Sequence, residues 1–179
     1  MFNLSQIDQA PELWRRGFEK LQRLNREGAR LKAQVAGRSI GIMMSFAGTA
    51  HPFALKPSWL AMKDADWSIQ QAALRDATFR HKLIEETSIF VGDFEKFVTE
   101  GFHKMFDVAA GYEPSTRDSL MARAEGNETS AAQLAMDLLM KNDGEGMLYF
   151  PLFNYSENSL DVLHLLHQSD DVLMGLSDA

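Results

Sequence analysis

The 179-residue chain contains no cysteine. That excludes thiol nucleophiles, thiolate metal sites and disulfide scaffolds together. Its apolar fraction is 45%, and a chain of this size hides about 70% of the surface its unfolded form exposes, so a core is feasible without cross-links. Long apolar runs are also missing. The longest stretch free of Asp, Glu, Lys and Arg runs from Ser39 to Leu55, is broken by Gly41, Gly48 and Pro52, and contains His51. A membrane span wants about 20 predominantly apolar residues, so none is expected here. Residues 1–16 lack the basic start and apolar run of a secretory signal, and a cytoplasmic location is expected.

Signatures of common chemistries are absent too. There is no phosphate loop, no Gly-x-Gly-x-x-Gly, no Gly-x-Ser-x-Gly and no His-Glu-x-x-His. The nearest glycine-rich element is Gly144-Glu145-Gly146, whose carboxylate would repel a phosphate and whose neighbours Asn142-Asp143 mark a turn. No cofactor is expected, and catalysis is not the favoured reading.

Charge is distributed unevenly. The chain holds 18 basic and 25 acidic residues, a net charge of −7. Arg15, Arg16, Lys20, Arg23, Arg26, Arg30, Lys32 and Arg38 face only Asp8, Glu12, Glu19 and Glu27 in the first 38 residues, a balance of +4 that leaves −11 for the remainder. Such a segment can meet an acidic partner or fold back on its own acidic body.

Periodicity predicts a mainly α, single-domain helical bundle over residues 1–179, with a small two-stranded β element pairing about 39–47 with 147–153. Pro151 would place the second of those strands at an edge. Trp14, Leu21, Leu24, Leu31 and Val35 recur at helical spacing and predict a basic amphipathic helix over about 11–36, packed on or projecting from an acidic helical body. Residues 67–112 read as helix nearly throughout, with a break at Gly92-Asp93 and a row of Phe90, Phe94, Phe97, Phe102 and Phe106 lining the core. Further helices are predicted over about 115–124, 130–141 and 158–174, the first and last opening on Ser115/Asp118 and Asn158/Asp161 at capping-box spacing.

Three functional readings follow. The favoured one is a non-enzymatic interaction protein, an adaptor, chaperone-like or regulatory domain that binds another protein through Trp14, Arg15, Arg16, Arg23, Arg26, Arg30 and Arg38, or a second copy of itself through the seam of Trp14, Leu21, Leu24 and Leu31. The alternative is a metal-dependent enzyme built on two triplets of related spacing, Glu100, His103 and Asp107 and then His164, His167 and Asp171. On helices each triplet would form one stripe able to ligate a metal. Turning about 100° per residue, however, places both stripes opposite the apolar faces, toward water. The third reading is nucleic-acid binding, which the −11 remainder and the placement of Trp14 and Phe18 on the apolar seam disfavour.

Overall fold

The computed structural model describes residues 1–90, 92–127 and 129–175, and among these 46% are helical and 13% are in strands. The first elements are β1 (Phe2–Asn3), α1 (Leu13–Arg26), β2 (Ala33–Val35), β3 (Ile40–Met44) and α2 (Pro57–Leu60). There follow α3 (Trp67–Arg75), α4 (Ala77–Glu85), α5 (Asp93–Glu100), β4 (Phe106–Asp107), α6 (Leu120–Gly126), α7 (Ala131–Leu139) and α8 (Lys141–Gly144). The last are β5 (Leu148–Phe153), α9 (Asp161–His167) and β6 (Val172–Met174), and 3-10 turns occupy Phe102–Lys104, Val108–Ala110 and Thr116–Asp118. Two three-stranded sheets correct the expected mainly α bundle to an α/β mixture.

The chain forms two compact units, one from Met1–Gly41 with the described part of Pro151–Ala179, the other from Ile42–Phe150. In the first, β1, β2 and β6 form a parallel sheet with β2 at its centre. Parallel neighbours cannot be joined by a tight turn and need a crossover of a dozen or more residues. Helix α1 supplies it between β1 and β2. Its buried side, Trp14, Phe18 and Leu21, packs in one core with Leu4, Ala33 and Val35 and with Val162, Leu163 and Leu166 of α9.

The predicted helix over 11–36 stops at Arg26. Gly28 adopts φ +99°, a conformation that leaves the right-handed helix at little cost only for glycine. Asn25 then fixes the exit: its side-chain oxygen accepts from the Leu31 N–H at 2.9 Å and its amide donates to the Leu31 carbonyl at 3.0 Å. Val35, which continues the helical phase on paper, is instead a fully buried residue of β2. The last predicted helix is shortened in the same way, to Asp161–His167, with Ser169 accepting from the Asp171 N–H in the turn before β6. Asn158 has φ +52° and does not open it; the Ser159 hydroxyl accepts from the Asp161 N–H instead.

The second sheet has the order β3-β5-β4, and β3 and β5 each contribute residues to both units. The two charge-free runs are therefore neighbouring strands, but of three rather than two, and the strand with Pro151 is central rather than at an edge. Its pairing with β4 ends at Tyr149, before Pro151 is reached, so no ladder bond to β4 requires the missing N–H. The predicted near-continuous helix over 67–112 is divided. Asp76 is extended and accepts from the Thr78 N–H, ending α3 and starting α4. α5 ends at Gly101, whose ψ of 50° leaves the helix and where a Cβ would lie 2.4 Å from the Phe97 carbonyl oxygen. The Phe row consequently shares no single face: Phe94 is 55% exposed and Phe106 is fully buried in β4. Ser115 and Asp118 do form a capping box, around the 3-10 turn ahead of α6, while Ser119 and Ser130 cap α6 and α7.

Candidate functional site

Along α1 the core-facing and solvent-facing sides are cleanly separated. Trp14 is 2% exposed, so this predicted contact residue belongs to the core. Arg15 lies 4.7 Å over its ring and donates to Glu12 at 2.8 Å. That carboxylate raises the Arg15 pKa, first through the hydrogen bond and then by its charge. Arg23 approaches Glu27 at 4.0 Å. Arg16 and Arg26 are exposed on α1 and Arg30 in the turn after it, and none of the three makes an ion pair among the described residues. Arg38 is half-buried and donates to the Ser39 carbonyl.

Part of the charge asymmetry disappears on folding. The first unit brings the basic segment together with Glu157, Asp161, Asp170 and Asp171, and because residues 151–179 contain five acidic residues and no Lys or Arg, its sequence sums to −1 and that of the second unit to −6. Lys32 lies 3.8 Å from Asp171 and donates to the Asp170 carbonyl. The exposed basic side chains of this unit that make no ion pair among the described residues are Arg16, Lys20, Arg26 and Arg30.

The two His/carboxylate triplets do not form stripes. Glu100 is the last residue of α5, His103 sits in the following 3-10 turn, and Asp107 lies in β4, because Gly101 interrupts the helix between them. Asp107 accepts from the Ala109 N–H at 3.1 Å and from Lys141 at 3.0 Å, with Arg123 at 3.8 Å. Burial raises its pKa, but that N–H and the two cations outweigh it and hold the carboxyl below its usual range. In the other triplet, His164 and His167 lie on α9 and Asp171 in the turn beyond it. The His167 Nε2 sits 3.1 Å from the Ala36 carbonyl, to which it donates, and the Gln168 amide donates to the His164 Nε2 at 2.8 Å. Asp171 accepts from Asn25 at 2.8 Å. Among the described residues no three His, Asp or Glu side chains gather as a metal ligand set.

The second unit holds polar groups that spacing did not reveal. His51 is 1% exposed, boxed by Phe46, Phe53 and Trp59, and neither ring nitrogen has a hydrogen-bond partner among the described residues. A separate cavity of about 240 Å³ is lined by Lys56, Ser88, Thr99 and Glu100 between the apolar walls of Phe53 and Phe102. Of these only Glu100 was singled out in the sequence, and for another chemistry. The others come from a loop, a second loop and a helix, with no common period to mark them. His51 stood out only as the histidine of the charge-free run.

Among the described residues no helix is long and apolar enough to cross a membrane. Compared with known protein families, curated proteins and solved structures, the chain has no match.

Proposed function

We propose that this is a non-enzymatic interaction protein that binds an acidic segment of another protein through the solvent face of α1 and the turn after it. The observation that supports this most directly is the set Arg16, Arg26 and Arg30, exposed and without ion pairs among the described residues, beside a helix whose opposite side is committed to the core. Because one side of α1 is fixed by Trp14, Phe18 and Leu21, its arginines are held on a rigid element and lose little further backbone freedom on binding. Arg is also suited to carboxylates, which its planar fork grips in bidentate fashion.

A polyanion such as single-stranded nucleic acid is less well served. Binding of that kind draws on exposed aromatic rings interleaved with the basic groups, and Trp14 and Phe18 are buried. The test is a fluorescence titration with a labelled glutamate-rich peptide and, in parallel, a labelled oligonucleotide. The proposal expects peptide binding that weakens about tenfold or more in an Arg16→Glu, Arg26→Glu, Arg30→Glu variant whose circular dichroism is unchanged. Equal peptide affinity in the variant, or a clear preference for the oligonucleotide, would overturn it.

A further inference from the structure

The cavity of about 240 Å³ in the second unit is smaller than the roughly 300–1,000 Å³ pockets that hold drug-sized ligands. It combines apolar walls with charges of both signs. Lys56 and Glu100 both line it and attract each other, yet neither makes an ion pair among the described residues. The Lys56 ammonium instead donates to the Glu86 backbone carbonyl. Glu86 is not free to replace Glu100, because its carboxylate accepts from the Ser58 N–H and hydroxyl at the start of α2 and lies 3.6 Å from Lys82. Burial lowers the Lys56 pKa against the opposing pull of Glu100, Glu86 and Glu85, which marks an ammonium short of compensation.

Two hydroxyls complete the lining and differ in what they have left to offer. The Ser88 hydroxyl is buried, with the residue 7% exposed, and has no hydrogen-bond partner among the described residues. A buried hydroxyl without a partner is costly, so a ligand that satisfies it removes that cost. Thr99 is 5% exposed and already donates its proton to the Glu95 carbonyl at 2.8 Å, so its oxygen is left to accept. The cavity therefore presents a cation with a spare donor and an anion with a spare acceptor alongside apolar side chains.

We propose that this cavity binds a small zwitterion of the α-amino-acid class, the ligand carboxylate taken by Lys56 and Ser88 and the ligand ammonium by Glu100 and Thr99, with Phe53 and Phe102 against its side chain. A simple carboxylate would leave Glu100 facing a like charge, and a simple amine would leave Lys56 doing so. A ligand carrying both groups satisfies all four polar side chains at once. This site is independent of α1.

The full chain is titrated calorimetrically with each of the common free L-amino acids, and the tightest binder is then compared with its N-acetyl and its carboxamide derivatives. The expected result is saturable binding of at least one free amino acid, weakened tenfold or more by either modification. Glu100→Gln, at an exposed position, should weaken the free amino acid without weakening the N-acetyl form, which no longer faces a like charge; Lys56→Met should weaken the free acid without weakening the carboxamide. If no amino acid binds at millimolar concentration, if the derivatives bind as well as the parent, or if Glu100→Gln changes nothing, the proposal is wrong and the cavity holds water alone.

Discussion

The Asn25 amide donates to the Asp171 carboxylate at 2.8 Å, joining the last turn of α1 to the turn that precedes β6. The same side chain bonds both the N–H and the carbonyl of Leu31. One residue thus ends the helix, aims the chain into β2 and engages a carboxylate that spacing alone had offered as a metal ligand. Each such bond contributes about 1 kcal/mol net, so Asn25→Ala should lower stability by roughly 2–3 kcal/mol in urea denaturation. A loss below about 0.5 kcal/mol would show that the turn is held by the sheet alone.

His51 gives a pH dependence with a defined sign. Its ring lies edge-on to Trp59, at 88° and 4.6 Å between centroids, in a box where the cation has no partner. Burial pushes its pKa down from 6.5 to about 3. Between those values the unfolded chain takes up a proton that the folded chain refuses, so stability falls as pH drops, at a slope approaching 1.4 kcal/mol (roughly) per pH unit from this group. Above about pH 7 the contribution is flat. His51→Leu should therefore make the acid side of the stability profile shallower, read from urea midpoints between pH 7 and 4. An unchanged slope would mean that His51 is protonated in the folded state.

The parallel sheet of the first unit was not anticipated, but the buried side of α1 was legible, since Trp14, Phe18 and Leu21 mark it by spacing alone. Its limits were not. Leu31 and Val35 fall in phase with the helix although Gly28 has already ended it, and Leu173 continues the phase of α9 although it stands in β6. Three-residue parallel strands are too short to show alternation, and their neighbours are distant in sequence. The cavity was illegible for a related reason: Lys56, Ser88 and Thr99 meet only through the tertiary fold.

Gly101 offers a check on the division of the predicted long helix. A methyl group there would meet the Phe97 carbonyl oxygen at 2.4 Å and the Phe150 ring at 3.0 Å. Backbone and a packed ring cannot both yield, and overpacking of this kind costs about 1–3 kcal/mol. Gly101→Ala should lower the urea midpoint accordingly. If it instead raised stability, as Ala does in a regular helix interior, then α5 would continue through position 101 and the helical stripe of Glu100, His103 and Asp107 would be restored.

The central claim, that the arginines of α1 and its following turn are a recognition surface for acidic protein segments, is tested most directly by amide chemical-shift mapping with the glutamate-rich peptide. The account predicts saturable shifts concentrated at Arg16, Lys20, Arg23, Arg26 and Arg30, reduced as ionic strength rises because these groups face water. Shifts concentrated elsewhere in the chain, or none at these residues at saturating peptide, would contradict it.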